Sequence, residues 1–344
     1  MRTFLTGALV CAVAAAGVAP GAARADSLSG SGSSFVKPMM DKWARTYEKE
    51  KQVRVDYIAV GSGAGVKQLL EKATDFACSD AALTDEQLAA AKKANSEVVH
   101  VPLVMGGVVP AYNLKDVDKP IRFTGKVLAD IYLGKIRKWN DADLKEINPG
   151  LDLPDLDIAV VHRSDSSGST AIFTEFLTKV SPDWKEKVGT GTLVKWPTGT
   201  GAKGTDGVAG LIGKTPGAIG YVELVFALQK KMKFGAVKNK EGSYVVASLE
   251  GVTAAAEAAL TDIPDDLRFS LTNAPGKESY PICGTTWAVV HVQQPEDKAN
   301  QITAFLRWMT HDGQEYATDL YYARLPKGLV ERLDKELTLI KSAK

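Results

Sequence analysis

Three short clusters of glycine and hydroxyl residues stand out for the chemistry they could do: Gly32-Ser33-Ser34-Phe35, Gly61-Ser62-Gly63 and Ser166-Ser167-Gly168-Ser169-Thr170. Each directly precedes a stretch with helical periodicity. The first four N–H groups of a helix have no internal partner, and the helix dipole adds partial positive charge there. Glycine lets the backbone approach a ligand closely, and serine or threonine adds a neutral donor. Such a turn suits an oxyanion. One cluster alone reads as an ordinary helix cap. Three on separate strand-to-helix turns point to a shared site, because open α/β sheets bind ligands beyond the carboxyl ends of their strands.

Two charged residues extend the pattern. Arg163 follows the apolar run 158–161 and lies three residues before Ser166. A guanidinium forks onto an oxyanion, although pairing with the nearby Asp165 is the plainer use. Asp80 follows the short apolar segment Phe76-Ala77-Cys78. A carboxylate repels an anion unless that anion carries a proton. Ionised aspartate only accepts hydrogen bonds. Asp80 would therefore accept from a protonated phosphate and reject sulfate, which retains no proton. The plainer use of Asp80 is a helix N-cap.

Catalytic patterns are thin. There is no G-x-S-x-G elbow. His100, His162, His291 and His311 are scattered, and the first three sit in or beside apolar strands, where packing is the expected role. No C-x-x-C or H-E-x-x-H spacing suggests a metal. Gly213-Lys214-Thr215 resembles the end of a Walker A loop, but Val208 takes the first glycine position and Pro216 blocks the following helix. The expectation is a binding protein with no metal and no cofactor.

The elements that must position these residues alternate. Helical spacing predicts helices over 39–50, 66–73, 85–94, 171–180, 208–212, 253–260 and 300–310, with Thr84 and Gln87 placed for a capping box at the third. Strands are predicted over 53–58, 76–78, 158–161, 218–222 and 281–292. Residues 98–113 are strand-like but contain Pro102 and Pro110, so this run is expected to bend or to cross between lobes. Alternation of this kind argues for βαβ units and mainly parallel sheets.

Composition agrees with a globular α/β protein. The 344 residues allow two domains, possibly three. Hydrophobic residues are 45% and charged residues 24%, and 42 basic against 41 acidic side chains argue against a general nucleic-acid binder. Arg2, the apolar run 4–18 and Ala23-Arg24-Ala25 make residues 1–25 read as a cleaved export signal. The run is shorter than the ~20 residues of a membrane span. Cleavage removes Arg2 and Arg24, leaving 40 basic against 41 acidic residues, and keeps two of the three cysteines, Cys78 and Cys283. Export would permit a disulfide between them.

The motifs together resemble a known family. They are Leu28-Ser-Gly-Ser-Gly-Ser-Ser-Phe35, Gly61-Ser-Gly-Ala-Gly-Val-Lys-Gln68, Ser79-Asp80, Tyr132-Leu-Gly-Lys-Ile136 and Val161-His-Arg-Ser-Asp-Ser-Ser-Gly-Ser169. They continue with Val188-Gly-Thr-Gly191, Val194-Lys-Trp-Pro197, Gly204-Thr-Asp-Gly207 and Pro216-Gly-Ala-Ile-Gly-Tyr-Val-Glu223. Over residues 27–230 and 270–330 the sequence resembles the periplasmic phosphate-binding proteins of high-affinity phosphate ABC transporters, the PstS family. The resemblance implies a type II-like two-lobe periplasmic binding protein fold. Each lobe would be a mainly parallel sheet flanked by helices, with a hinge between them. Lobe I would comprise residues 26–108 and 275–344, and lobe II residues 109–274.

It also implies one inorganic phosphate held between the lobes by Ser34, Phe35, Ser62, Asp80, Arg163, Ser167, Gly168 and Ser169, with Asp165 orienting Arg163. Ser34 and Ser169 stand where the family usually has threonine, and His162 stands where a second basic residue is expected. Residues 231–269 match poorly, and nothing is carried over to them. A monomeric periplasmic protein that docks on a membrane permease is the implied setting, with no nucleic-acid partner. Another oxyanion (sulfate, molybdate or a phosphonate), a phosphatase-like enzyme and a phosphate sensor are the alternatives. Asp80 argues against sulfate and molybdate.

Overall fold

Strands and helices alternate through residues 27–259 and 263–342, which the computed structural model describes. The export signal expected over residues 1–25 lies outside the described residues. In chain order come β1 (Ser27–Gly32), α1 (Lys37–Lys51), β2 (Arg54–Ala59), α2 (Ser62–Leu70), β3 (Phe76–Ser79), α3 (Asp85–Lys93) and β4 (Val98–Tyr112). Next are β5 (Arg122–Phe123), α4 (Gly125–Tyr132), α5 (Ala142–Ile147), β6 (Ala159–Arg163), α6 (Gly168–Val180), α7 (Pro182–Lys187), β7 (Thr200–Ala202), α8 (Gly204–Lys214), β8 (Ala218–Glu223) and α9 (Leu224–Gln229). Then follow β9 (Lys233–Phe234), β10 (Ala236–Lys238), β11 (Tyr244–Val246), α10 (Leu249–Ala259), β12 (Cys283–His291), β13 (Gln293–Gln294), α11 (Glu296–Thr310), α12 (Lys327–Leu337) and β14 (Lys341–Ser342).

The main sheet runs in the order β2-β1-β3-β12-β4-β8-β6-β7, with β9 also paired to β4. Within one half, β2, β1 and β3 are parallel and β12 is antiparallel. Within the other, β8, β6 and β7 are parallel. This is the expected two-lobe α/β architecture with mainly parallel sheets. Strand β4 belongs to both halves: residues 98–107 pair with β12, and residues 108–112 pair with β8. It is buried along its whole length, which explains its near-continuous apolar sequence. Pro102 is tolerated because it lies opposite Trp287 where the register skips Leu103. A bulge there needs no N–H from the proline.

Local sequence explains the flanking helices. Met39, Met40, Trp43 and Tyr47 form the buried stripe of α1. Thr84 and Gln87 make the expected capping box of α3. Helix α2 begins earlier than its apolar periodicity suggests, at Ser62, and takes in Gly63 and Gly65. Gly65 is a contact surface: a Cβ there would stand 2.3 Å from Gly32 Cα.

Cys78 and Cys283 are buried free thiols. Cys78 faces Ala288 across the β3–β12 pair, so Cys283 lies five residues away along β12. At about 3.3 Å per residue that is about 16 Å, well beyond the ~7 Å Cα separation a disulfide can span. The histidines pack as expected. Burial lowers His100 to about 4, and its Nε2 accepts from Leu83 N at 3.1 Å. His291 Nε2 donates to Leu69 O at 2.8 Å. His162 stacks on Trp196 with ring centroids 4.8 Å apart. Among the described residues no helix is long and apolar enough to cross a membrane.

Candidate functional site

The three glycine–hydroxyl clusters meet. Hydrogen bonds tie the start of α2 to that of α6 and the start of α1 to that of α8. Ser62, the first residue of α2, accepts from Gly168 N of α6 at 3.1 Å. Ser34, just before α1, lies 2.9 Å from the Thr205 hydroxyl of α8. Four helix N-termini therefore face one junction between the lobes, each carrying about half a positive charge.

Asp80, at the carboxyl end of β3, is buried at this junction. The Ser33 hydroxyl donates to its two oxygens at 2.6 and 2.7 Å, Thr286 donates at 2.6 Å, and Ser62 donates at 3.4 Å. Burial pushes its pKa up to about 7. Hydrogen bonds from Ser33 and Thr286 oppose that rise, the charge of Glu223 adds to it, and Arg163 opposes it. Gly168 sits against Asp80 so closely that a Cβ would be 2.5 Å from Asp80 Cβ and 2.7 Å from its Cα.

Arg163 ends β6 and is equally buried. Its Nε donates to Asp165 Oδ1 at 2.8 Å and its Nη2 to Oδ2 at 2.6 Å. Burial works against the guanidinium charge, but the bonds to Asp165 and the field of Glu223 outweigh it, so its pKa is raised. Burial would raise Asp165, yet the Arg163 bonds and Gly204 N hold it below the usual carboxylate range. The fork is fixed in one plane, and its remaining nitrogen, Nη1, donates to Thr205 Oγ1 at 3.3 Å. The two bonds to Asp165 fix the direction of the Arg163 guanidinium.

The structure brings Ser34, Ser62, Asp80, Arg163, Gly168 and Ser169 to the junction, with Asp165 behind Arg163. Phe35 and Ser167 contribute differently. The Phe35 ring is in the core, its N–H donates to Ser33 Oγ at 2.9 Å, and its carbonyl accepts from Tyr322 at 2.5 Å. Ser167 Oγ accepts from Thr170 N at 3.3 Å and so caps α6.

Four residues at the junction carry no role in the sequence reading: Ser33, Thr205, Glu223 and Thr286. Ser33 lies inside a quoted cluster, and Thr205 inside Gly204-Thr-Asp-Gly207. Glu223 ends β8 much as Asp80 follows β3, so strand-end position is a usable signal. Thr286 lies within β12 and carries no local signal. Ser169 donates to Glu223 Oε1, as does Thr205 at 3.1 Å.

Chemically this is a set of neutral donors and one guanidinium around an acceptor carboxylate. Among the described residues no imidazole, lysine or thiol hydrogen-bonds these hydroxyls or carboxylates, and no group of three or more His, Cys, Asp or Glu could hold a metal ion.

Comparison with known proteins gives the same answer as the motifs. The model of the PBP superfamily domain matches residues 17–312. The phosphate-binding protein PstS of Xylella fastidiosa (strain 9a5c) is 41% identical over 309 residues, covering 89% of this chain and 84% of that protein. The phosphate-binding protein PstS of Haemophilus influenzae is 40% identical over 318 residues, covering 91% and 93%. Among solved structures, the high-affinity periplasmic phosphate-binding protein PfluDING, bound with phosphate, superposes with a TM-score of 0.73 at 21% identity, covering 90% of this chain and 93% of that one. The chain belongs to the PBP superfamily and, within it, to the family of the phosphate-binding proteins PstS.

Proposed function

We propose that this protein captures inorganic phosphate between its two lobes and delivers it to the membrane permease of an ABC importer. It is a solute-binding protein, not an enzyme, as its family is. The observation that carries the reading is the junction itself. Four helix N-termini and the Arg163 fork supply positive potential, and buried Asp80 stands among them as an acceptor. Ser34, Ser62, Ser169 and the backbone N–H groups at Phe35 and Gly168 would exchange their bonds to Thr205, Asp80, Glu223, Ser33 and Ser62 for bonds to the phosphate oxygens. Asp80 would accept the proton the anion retains near neutral pH. Ser167 would hold the start of α6.

The lobes in this reading are residues 26–108 with 275–344, and residues 109–274. The exchange of β4 from β12 to β8 at residues 107–108 supports that division. Hydrogen bonds to charged groups are worth about 1.5–3 kcal/mol each. Six or more, less the cost of closure, support micromolar or tighter binding, which is about −8 kcal/mol or better. Export to the periplasm, a monomeric state and docking of the closed form on a permease complete the proposal.

Equilibrium dialysis of the purified chain with phosphate, sulfate and arsenate is the test. Retention of phosphate with exclusion of sulfate is expected. Equal retention of phosphate and sulfate, or of neither, would sink the reading.

A further inference from the structure

Glu223 has no part in the reading above, yet it lies within the site. It is fully buried at the end of β8, on the lobe opposite Asp80. Its Oε1 accepts from Ser169 Oγ and from Thr205 Oγ1, while its Oε2 is buried without a partner. An ionised carboxylate has no proton to give, so both hydroxyls must donate to it. Thr205 has then spent its only proton. The 2.9 Å bond between Ser34 and Thr205 must therefore run from Ser34 to Thr205. Arg163 Nη1 donates to the same oxygen at 3.3 Å. The protons of Ser169 and Ser34, two of the donors assigned to phosphate, are both turned toward Glu223, one directly and one through Thr205.

The charge count adds to this. Asp80, Asp165 and Glu223 share the junction with one guanidinium. Arg163 is already matched by Asp165 at 2.6 Å. Glu223 is left with hydroxyl donors on one oxygen and none on the other. A buried carboxylate so incompletely paired keeps most of its field.

We propose that Glu223 is a positioning residue that sets the selectivity of the site. Its carboxylate stands in for an anion by holding the protons of Ser169 and Ser34, and its charge disfavours any ligand that arrives fully ionised. The inference rests on the phosphate-binding reading and deepens it. Selectivity would then be imposed from both lobes: Asp80 checks for a proton on one side, and Glu223 repels a bare dianion from the other. An entering oxyanion must win Ser169 and Ser34 from Glu223. Dihydrogen phosphate, a monoanion, does so against less repulsion than the sulfate dianion.

Glu223→Gln tests this, because the amide keeps the size and the Oε1 acceptor and removes the charge. Calorimetric titration with sodium phosphate and sodium sulfate at pH 7 and fixed ionic strength is the assay. Sulfate affinity should rise by about tenfold or more, with phosphate affinity rising less. Ser169→Ala and the double variant Ser169→Ala/Glu223→Gln should give non-additive changes in phosphate affinity. An unchanged sulfate-to-phosphate ratio in folded Glu223→Gln, or full additivity with Ser169→Ala, overturns the proposal.

If thermal melting shows that Glu223→Gln does not fold, Glu223→Asp serves. It withdraws the carboxylate from Ser169 and Thr205, so phosphate should bind about threefold tighter. Binding equal to or weaker than wild type overturns the proposal. Failure of the underlying reading is distinct from all of these, because the wild-type chain would then not bind phosphate.

Discussion

Asp80→Asn separates charge from shape at the centre of the site. Wild-type Asp80 is buried and takes short bonds from Ser33 and Thr286, with a longer one from Ser62. Asparagine keeps one oxygen for these donors, and the rotating hydroxyls can turn to accept from its NH2. The fold should survive at a cost of about 1–2 kcal/mol.

The effect on ligands is larger. Two unit charges about 4 Å apart interact by about 4 kcal/mol at an effective dielectric constant of about 20. Sulfate, with no proton to offer, either meets that repulsion or binds with Asp80 protonated, which costs little at pH 7 for a group whose pKa is about 7, so the variant relieves sulfate by less than about 1 kcal/mol. Protonated phosphate instead loses a bond to a charged acceptor, worth about 1.5–3 kcal/mol. The two changes act in opposite directions on the two anions. Together they should shrink the ratio of sulfate Kd to phosphate Kd by roughly a hundredfold, or about 2.7 kcal/mol. Competition calorimetry at pH 7 measures that ratio directly. A ratio equal to that of the wild type would refute the proton-acceptor argument.

Three further outcomes follow from the same geometry. Burial holds Asp80 up to about 7 in the ligand-free protein, against ~3.9 in an unfolded chain. The folded state thus keeps a proton that the unfolded state releases. That contribution is whole below about pH 4 and is lost as pH rises through about 7, up to about 4 kcal/mol in all. Urea unfolding of ligand-free protein should show lower stability at pH 8 than at pH 5, with a smaller drift in Asp80→Asn. Equal drifts in both proteins would assign the effect elsewhere. Arg163→Lys keeps the charge but not the fork to Asp165, and phosphate affinity should fall by about tenfold or more. Wild-type titration would remove Arg163 from the site. Gly168→Ala places a methyl group 2.5 Å from Asp80 Cβ. Phosphate affinity should drop sharply with thermal stability retained, and small-angle scattering with phosphate present should show a larger radius of gyration than wild type. A wild-type radius would contradict the close approach of α6 to Asp80.

Much of the site is legible in the sequence because its parts sit where regular elements end. Ser62, Arg163 and Gly168 flank strand-to-helix turns, and helix starts advertise themselves through glycine and hydroxyl residues. Glu223 obeys the same rule, but the apolar Leu224–Gln229 follows it directly, with no glycine or hydroxyl cluster to mark the turn. Thr286 was illegible for a different reason. It reaches Asp80 through antiparallel pairing of β12 with β3, across 206 positions of sequence.

Boundaries failed where tertiary contact overrides propensity. The Ser/Gly-rich stretch at 27–32 is a strand lying between β2 and β3, although its composition resembles a loop. The glycines of α2 weaken its helical signal, yet one of them is what lets it touch β1. The separation of Cys78 and Cys283 depends on register, which spacing in one sequence does not encode.

Strand β4 has a mechanical meaning. It is bonded first into one half of the sheet and then into the other, and it passes from β12 to β8 without a loop. Movement of one half against the other must be absorbed as torsion of extended backbone, with no slack chain to pay out. A joint of that kind behaves as a stiff spring with a preferred angle. Residence time on the ligand would then be tuned by the elasticity at Gly107 and Val108, the latter paired with Glu223 across the sheet.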